Sequence, residues 1–556
     1  MRDYEIHLVE EVRAGRMTRK DLVRRASVFG LSMPAIAALL AACGGGGGGG
    51  GGSTNEGDGG GTPKKGGTGR FGITVPASDV DPVTMFNTGA IMTTQVSGEY
   101  LCFPDPEYKL DPRLATSWNA SDPKTWEFKI RQGVKWHDGS DLTVDDVVAT
   151  FDRLTDPKGN SAALSAYTGI LSKGNIEKKD EETVVFHLDR GFVDFPYLVS
   201  PFNYNSIILP QNYEIGQFTK GGIGTGPYIL KQYTAKQGAT FTKNPNYWDK
   251  SLPYMDAVEI KYYDDTPPIV LALQAGDIDV FPQTPFQGSQ ALFNDPNITV
   301  LQDRSSEYRA VHMRVDQAPF DKKEVRQAVA YSLDRPGLIQ GLFDGRAELG
   351  NDHAFAPIYP AAAEAAKQVP QRSQDYDKAK QLLGGQTVDV ELTTEQFLEI
   401  PQYAQLIQQQ CKPAGINVKL NVEDQTTFYG TGKNQPWLVV PFGIVDWGAR
   451  GSASQTISPA YLCRSVPKPD LSNAGGAWNS AHWCNDEYDK LVFDFDQELD
   501  TQKRMQIAVE AAKLQNDEVP VVIAYWIKEQ RTTRSNVHGL PSGPTFHLDV
   551  RSMYLA

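Results

Sequence analysis

Apolar and polar residues follow a helical period in several parts of this chain. Val144, Val147, Phe151 and Leu154 recur at the spacing of one helix face, and Thr143 with Asp146 three residues later forms an N-terminal capping signature. A helix is therefore predicted directly after Thr143. The same amphipathic spacing predicts further helices over residues 323–334, 376–383, 403–412 and 501–515.

Shorter runs, in which apolar residues alternate with polar ones or follow one another, predict strands between these helices. The runs are residues 126–130, 134–136, 184–188, 259–263, 388–392, 417–422 and 437–442. No period of 20 to 50 residues repeats, which disfavours solenoids and propellers. We therefore predict a mixed α/β protein whose later strands and helices form a second lobe, with a cleft between the two lobes.

The first 42 residues have a different pattern. Five basic residues between Arg16 and Arg25 precede a mostly apolar stretch over residues 28–42, which is the layout of an export signal peptide and is short for a membrane-spanning helix. The stretch ends in Leu40-Ala41-Ala42-Cys43, which resembles the lipobox of bacterial lipoproteins and implies cleavage before Cys43 and its lipidation. An interfacial helix or a membrane anchor that contains Cys43 is the alternative.

The residues after Cys43 predict a flexible tether. Residues 44–52 are an unbroken glycine run, and the chain stays rich in small polar residues up to residue 70. We therefore predict a signal peptide at 1–42, a lipidated tether at 43–70 and an exported body that faces the periplasm or the cell exterior. Residues 18–24 resemble the twin-arginine signal with Lys20 in place of the second arginine, so Sec and twin-arginine export both stay open.

Charge excludes one class of partner. The 556 residues contain 54 Lys and Arg against 68 Asp and Glu, a formal net charge of −14. Such a chain repels phosphate backbones, so a nucleic-acid partner is not expected. Beyond the first fifty residues, no apolar run approaches the roughly 20 residues that a membrane-spanning helix needs.

Signatures of catalysis are missing from the sequence. It contains no G-x-S-x-G, H-E-x-x-H or G-x-x-x-x-G-K-[ST] motif, and the glycines of residues 222–227 predict a turn because Pro227 would obstruct a phosphate-binding helix. We therefore expect no enzyme, no cofactor and no metal. Cys463 and Cys484 flank a segment rich in Pro and Gly, which predicts a disulfide in an oxidising compartment, with zinc at His482 and Cys484 as the alternative.

Several blocks together resemble the extracellular solute-binding proteins of family 5, the oligopeptide, dipeptide and nickel type of receptor for bacterial ABC importers. The blocks, in chain order, are LDPRLATSWNASDPKTWEFKIRQGVKWHDGSDLTVDDVVATFDRL from Leu110, GIGTGPYILKQY from Gly222, NPNYWDKSLPYMDAVEI from Asn244, LALQAGDIDV from Leu271, PFDKKEVRQAVAYSLDR from Pro319, DYDKAKQLL from Asp375 and NSAHWCNDEYDKLV from Asn479. The resemblance covers residues 71–556.

This resemblance implies a two-lobed periplasmic-binding-protein-like fold with a hinge and a ligand cleft between the lobes. Lobe I is expected at 71–305 plus 518–556 and lobe II at 306–517. Cys102 and Cys411 then fall in different lobes and are expected to be reduced. The implied function is a monomeric receptor that delivers a peptide or peptide-like solute to an ABC transporter permease. An oligosaccharide receptor of the same family and a solute sensor without a transport role are the alternatives.

The resemblance also implies site residues. Peptide-binding members place an aspartate against the ligand ammonium, and Asp446 occupies that position here, with an ion pair to Arg450 as the alternative. Dipeptide-type members hold the ligand carboxylate with arginines where this chain has Pro401 and Gln402, so Arg450 is the candidate substitute. The full set of ligand-binding candidates is Asp446, Trp447, Arg450, Phe397, Gln402, Tyr403 and Trp526, whose aromatic members are alternatively core residues.

Overall fold

The computed structural model describes residues 63–221, 223–430, 435–463, 478–541, 543 and 547–556. The predicted signal peptide and Cys43 lie outside the described residues. The predicted tether is described only from residue 63, and the first strand, Thr68–Thr74, begins within its last residues.

The first lobe is built on a seven-stranded mixed sheet. Its strands are, in spatial order, Ile298–Asp303, Glu529–Arg534, Val280–Phe281, Thr68–Thr74, Ala257–Tyr263, Gly238–Lys243 and Tyr228–Thr234. In Ala257–Tyr263 every second side chain is buried, which is the alternation expected of a strand with one face on the core. The helices of this lobe are Thr88–Gln95, Val144–Leu154, Leu164–Tyr167, Phe195–Leu198, Phe218–Gly221 and Thr266–Ala275, with the 3₁₀ turn Gln290–Leu292.

A smaller antiparallel sheet packs into the same lobe. Its strands are, in spatial order, Ala115–Asp122, Thr125–Ile130, Thr183–His187 and Ile176–Lys178. The helix Val144–Leu154 covers it and begins with the predicted capping box of Thr143 and Asp146. Two further strand pairs are Cys102–Pro104 with Leu110–Pro112, and Val537–His538 with Tyr554–Leu555.

The second lobe is built on a six-stranded mixed sheet. Its strands are, in spatial order, Ala347–Leu349, Val521–Ile527, Tyr308–Met313, Phe442–Trp447, Val388–Glu395 and Ile416–Glu423. All six residues of Tyr308–Met313 are buried because helices cover both faces of the sheet. These helices are Lys323–Tyr331, Arg335–Phe343, Ala365–Gln368, Tyr376–Leu382, Ile400–Cys411, Gln425–Tyr429, Pro436–Val439, Ser454–Tyr461, Asp486–Gln497 and Thr501–Glu518, with 3₁₀ turns at Pro360–Ala362 and Lys412–Ala414.

The chain crosses between the two large sheets at two places in the described structure. Residues 304–307 lead from the first sheet to the second, and Lys528 leads back. The two crossovers lie side by side, because Ser305 Oγ donates a 2.7 Å hydrogen bond to the Ile527 carbonyl and the Ile527 N–H donates to the Glu307 carbonyl at 2.8 Å. This adjacency gives the lobes a double connection of the kind on which hinge motion takes place.

The return crossover lies later than the sequence predicted. Residues 518–556 were assigned to lobe I, but Val521–Ile527 pairs antiparallel with Tyr308–Met313 in the second sheet. Its residues are almost all buried there, so moving this strand to lobe I would open the core of lobe II. The boundary is therefore at Lys528.

Two predicted strands are also wrong. Residues 437–439 lie in the short helix Pro436–Val439, because Pro436 suits the first turn of a helix, and the strand starts only at Phe442. Residues 134–136 contribute a single bridge between Lys135 and Asp141. The predicted turn over residues 222–227 is found, as far as it is described, where Gly226 N–H donates to the Ser97 carbonyl at 2.9 Å.

Buried charges also join the lobes. Arg504 of lobe II donates two hydrogen bonds to Asp194 of lobe I, at 2.7 and 2.6 Å, and both side chains of this contact are shielded from water. Arg190 of lobe I similarly contacts Asp496 of lobe II at 2.7 Å. The two lobes thus share a buried polar interface in addition to the two crossovers.

Candidate functional site

A cavity of about 330 Å³ lies between the lobes. Lobe I contributes Thr74, Met92, Phe281, Gln283 and neighbouring side chains, and lobe II contributes the ends of its central strands and the loop that precedes the helix Ile400–Cys411. The crossover residues Glu307 and Lys528, and Glu529 at the start of the strand that follows, also line it. A cavity of this volume, lined by both polar and apolar side chains, is typical of small-molecule sites, which have volumes of about 300 to 1,000 Å³.

The lobe II side of the cavity is organised around one guanidinium. Arg309 is directly opposite Asp446 in the antiparallel pairing of their strands, and its Nη1 contacts Asp446 Oδ1 at 2.6 Å. The same nitrogen contacts Glu307 Oε1 at 3.0 Å, and Arg309 Nε lies 2.7 Å from Glu399 Oε1. Three carboxylates therefore surround one cation, which leaves an excess of negative charge at this wall.

The exposure of these groups differs in a way that matters for binding. The side chains of Arg309 and Glu399 are each 1% exposed, whereas Glu307 is 15% and Asp446 is 28% exposed. Glu399 thus serves as the internal counter-ion of Arg309. Asp446 and Glu307 present oxygen atoms to the cavity.

Burial sets the ionisation of this cluster. Loss of water raises the pKa of Glu307 to about 7, because the positive charge of Arg309 only partly offsets the burial and Asp446 adds to it. Burial alone would lower the pKa of Arg309, but Asp446, Glu399 and Glu307 hold that pKa well above its usual range. The guanidinium is therefore a permanent charge, whereas Glu307 exchanges its proton near neutral pH.

A second layer of contacts holds Asp446 in place. Tyr429 Oη accepts a 3.3 Å hydrogen bond from the Asp446 N–H and donates one of 2.7 Å to Glu395 Oε1. Glu395 also accepts from Gln425 Nε2 at 2.6 Å. Burial raises the pKa of Glu395, against the effect of these two donors.

The rest of the cavity wall is largely apolar. Its apolar side chains include Ile73, Met92, Phe281, Pro285, Phe286, Phe343, Phe397 and Leu398, and its polar ones include Thr74, Thr88 and Gln283. Leu398 has a φ of 41°, which is unfavourable for a side chain with a Cβ, and its side chain is 40% exposed. Backbone strain of this kind is concentrated at binding sites, where the surrounding structure holds it in place. The cavity therefore combines an acidic wall with an apolar one.

Two of the predicted ligand-binding residues line the cavity. They are Asp446 and Phe397. The alternative for Asp446, an ion pair with Arg450, is not found, because its partner is Arg309 on the neighbouring strand. Arg450 instead donates to the carbonyls of Gly448 and Ala449 at 3.4 and 3.2 Å and does not line the cavity.

The other predicted residues are placed elsewhere. Trp447 follows Asp446 in a strand, so its side chain points to the opposite face, where it stacks on Tyr308. Trp526 packs against Tyr308 in the same core, and Tyr403 is fully buried on the inner face of its helix. Gln402 is on the exposed face of that helix. Trp447, Trp526 and Tyr403 are therefore core residues, as the alternative interpretation expected.

The cysteines adopt the predicted states within the described structure. Cys463 and Cys484 form a disulfide, and Cys102 and Cys411 are free and buried in different lobes. The described residues contain no group of three or more His, Cys, Asp or Glu side chains that could hold a metal ion. None of the described helices has the length and apolar character that crossing a membrane requires.

Sequence reasoning missed the centre of the acidic wall, which is Arg309 with Glu307 and Glu399. The signal was a charged residue directly before the mostly apolar run Ala310 to Met313. A buried arginine in such a strand needs carboxylate partners, but which carboxylates supply them depends on tertiary packing.

An interlobe cavity of this composition, lined by both crossovers, is typical of two-lobed solute-binding proteins. Residues 109–463 match the family model described as bacterial extracellular solute-binding proteins, family 5 Middle. The chain belongs to this family of bacterial extracellular solute-binding proteins, as the sequence resemblance indicated.

Individual relatives agree with this assignment. The chain is 26% identical over 469 residues to the di/tripeptide-binding protein 1 of Pseudomonas aeruginosa (strain UCBPP-PA14), which covers 78% of this chain and 84% of the relative. It is 28% identical over 404 residues to the glutathione-binding protein GsiB of Escherichia coli (strain K12). The matched residues cover 70% of this chain and 75% of the relative.

Solved structures share the fold. HbpA2 from Haemophilus parasuis superposes with a TM-score of 0.76 at 19% identity and covers 88% of this chain and 100% of its own. The periplasmic binding protein DppA from Helicobacter pylori, in complex with the peptide STSA, gives a TM-score of 0.70 at 20% identity over 88% of this chain and 98% of its own.

Proposed function

We propose that this protein is the extracytoplasmic receptor of an ABC importer and that its solute is a peptide or a peptide-like compound. Family membership supports the receptor role, and the relatives named for di/tripeptides and glutathione support the class of solute. The two adjacent crossovers supply the hinge on which the lobes close around the solute. We assign no catalysis and no cofactor to the cavity.

The observation that carries this proposal is the excess of carboxylates over cations at the lobe II wall. Asp446 faces the cavity and already shares its guanidinium partner with Glu307 and Glu399. An ammonium group of the solute supplies the missing positive charge and forms a charge-assisted hydrogen bond with Asp446. The apolar wall that contains Phe397 and Leu398 receives a side chain of the solute.

The cavity offers little to a ligand carboxylate. Among its described lining residues the cations are Arg309, which already contacts three carboxylates, and Lys528. Arg450, the candidate substitute for the arginines of dipeptide-type members, is turned to backbone carbonyls. We therefore propose that the solute is anchored by its amino end and that its carboxyl end is not clamped.

Calorimetric titration of wild type and Asp446→Ala with short peptides tests the ammonium site. Truncating one member of a desolvated charge pair costs about 2 to 5 kcal/mol. This corresponds to a loss of affinity of roughly thirtyfold or more. Glu348→Gln is the matched control, because Glu348 pairs with Arg304 beside the hinge but does not line the cavity. A change below about fivefold for Asp446→Ala would remove the ammonium site.

An oligosaccharide receptor is the second candidate function. Neutral hydrogen-bonding side chains of lobe I favour it, namely Thr74, Thr88, Gln283, Thr284 and Gln287. Native mass spectrometry of the protein as purified separates the two candidates through the mass of any bound solute. A bound sugar together with an unaffected Asp446→Ala variant would replace the peptide proposal.

We also propose that Cys43 carries a lipid and becomes the mature N-terminus. The proposal rests on the lipobox-like Leu40-Ala41-Ala42-Cys43 and the glycine run that follows it. Cys43→Ser is expected to abolish metabolic labelling with a fatty acid and to release the protein from the membrane fraction. Cys102→Ser is the control, because Cys102 is buried in lobe I. Unchanged labelling of Cys43→Ser would refute the anchor.

A further inference from the structure

Glu307 differs from the other carboxylates of the cavity in its position. It belongs to the crossover 304–307, whose backbone is tied to the return crossover by the 2.8 Å hydrogen bond from the Ile527 N–H. Its Oε1 shares Arg309 Nη1 with Asp446, at 3.0 and 2.6 Å respectively. Because one nitrogen atom contacts both groups, Glu307 lies close to the proposed ammonium site.

The charge balance at this wall leaves room for more than one ligand cation. Glu399 is buried against the Nε side of Arg309 and neutralises it. Lys528 and Glu529 also line the cavity, but as one cation and one carboxylate they leave the charge difference unchanged. Asp446 and Glu307 then remain as two carboxylates with oxygen atoms exposed to the cavity. A solute with one ammonium neutralises one of them, so one carboxylate charge stays in excess beside Arg309, which is unfavourable at a wall that is only partly exposed to water.

We propose that the cavity selects solutes with two positive charges at their amino end, an α-ammonium held by Asp446 and a basic side chain held by Glu307, followed by an apolar group. This inference rests on the proposed function and narrows its solute class to peptides whose first residue is basic. Glu307 is then the residue that determines specificity, because Asp446 binds an ammonium that every peptide has.

The proton of Glu307 couples this selection to pH. The groups that face it are Arg309 of the strand that follows it, Asp446, Glu399, Tyr525, Lys528 of the return crossover and Glu529 at the start of the next strand. With its pKa raised to about 7, Glu307 is largely protonated at pH 6.0 and largely ionised at pH 7.5. A ligand cation favours the ionised form, so the second charge of the ligand contributes more at the higher pH.

The test compares the dipeptides Lys-Phe and Nε-acetyl-Lys-Phe by calorimetric titration. The two share the α-ammonium, the stem and the aromatic residue, and differ only in the side-chain charge. At pH 7.5 we expect Lys-Phe to bind at least tenfold more tightly than Nε-acetyl-Lys-Phe. At pH 6.0 the ratio of the two affinities should fall by up to about eightfold, the limit set by the ionised fraction of a group with a pKa near 7. The ratio isolates Glu307 because the α-amino group, which titrates near 8, is common to both peptides.

Glu307→Gln provides the second readout. In this variant the affinities of the two peptides should lie within about threefold of each other at both pH values. Glu348→Gln, outside the cavity, should retain the full preference. If Glu307→Gln does not fold, the pH dependence of the ratio of the two peptide affinities in the wild type tests the inference.

The outcomes separate the inference from the proposed function. Equal wild-type affinity for the two peptides at pH 7.5, or a preference that Glu307→Gln retains, would overturn the inference and leave the peptide receptor intact. Binding of neither peptide, nor of a neutral one such as Ala-Phe, would overturn both.

Discussion

Replacing Arg309 by Met tests whether one guanidinium neutralises the acidic wall. Met fills a similar volume without a charge, so the substitution leaves Glu399 buried with no cation beside it. Both side chains of this pair are 1% exposed, so water cannot replace the lost partner. Removing one member of a buried ion pair costs about 3 to 5 kcal/mol, and we expect the free energy of unfolding of Arg309→Met to fall by this amount at pH 8.

The loss should depend on pH in a defined direction. Carboxyl groups of the unfolded chain titrate near 4.3, whereas those left in the folded variant without the guanidinium bind protons more tightly. Groups that bind protons more tightly when folded stabilise at low pH and lose that contribution as the pH rises. The deficit of Arg309→Met should therefore shrink by about 1 to 3 kcal/mol between pH 8 and pH 5.

Urea denaturation followed by tryptophan fluorescence measures both effects. Arg309→Met/Glu399→Gln should recover at least half of the deficit at pH 8, because the double variant lacks both of the charges that are 1% exposed. Arg304→Met is the matched control, since Arg304 forms an exposed bridge with Glu348 that is worth under about 1 kcal/mol. A deficit of Arg309→Met below about 1 kcal/mol at pH 8, or one that Glu399→Gln does not reduce, would refute the assignment of Glu399 as the counter-ion.

Further predictions concern the disulfide, a buried histidine and the ligand carboxylate. The variant Cys463→Ser/Cys484→Ser should lose about 3 kcal/mol of stability, the chain-entropy contribution of a bridge across a sequence separation of 21, and an unchanged urea midpoint would contradict it. His353 is buried, and burial lowers its pKa to about 4, so as the pH falls the histidine is protonated in the unfolded chain before it is protonated in the folded one. The free energy of unfolding should therefore decrease by about 2 kcal/mol through this residue between pH 7.5 and pH 5.0. His353→Gln should remove that part of the acid sensitivity, and an identical pH profile would show that His353 does not cause it. Amidation of the carboxyl end of Lys-Phe should change its affinity less than threefold, because the described lining residues contain no free arginine, and a tenfold loss would reveal a carboxylate clamp.

Local patterns predicted much of the fold. The helix Val144–Leu154 was predicted with its capping box because both the apolar face and the cap are encoded within about a dozen residues. The order of the strands and the lobe boundary at Lys528 were not predicted. Val521–Ile527 is as apolar as a strand of either lobe, and only its pairing with Tyr308–Met313 assigns it to lobe II. Periodicity identifies an element but not its partner.

The site was predictable only in part, for a related reason. Family resemblance directed attention to the segment around Asp446 and to the loop that contains Phe397, and both residues line the cavity. Within the segment, the alternation of a strand separates Asp446 from Trp447, a distinction that required the strand to be placed at Phe442–Trp447 rather than at 437–442. Arg309 and Glu307 lie more than 130 positions from Asp446, and only the sheet pairing brings them together.

The side-by-side crossovers also constrain the order in which this chain folds. The strands Ile298–Asp303 and Glu529–Arg534 pair in the first sheet, with Gln302 and Gln530 separated by 228 positions. Closing a loop of that length in an unfolded chain costs about 3 to 4 kcal/mol more in entropy than closing a short turn. Once lobe II has folded, the Ser305 to Ile527 hydrogen bond holds the two ends of the insertion together, and the same pairing needs only a short turn. The edge of the first sheet should therefore form late, after the lobe inserted within it has acquired its structure.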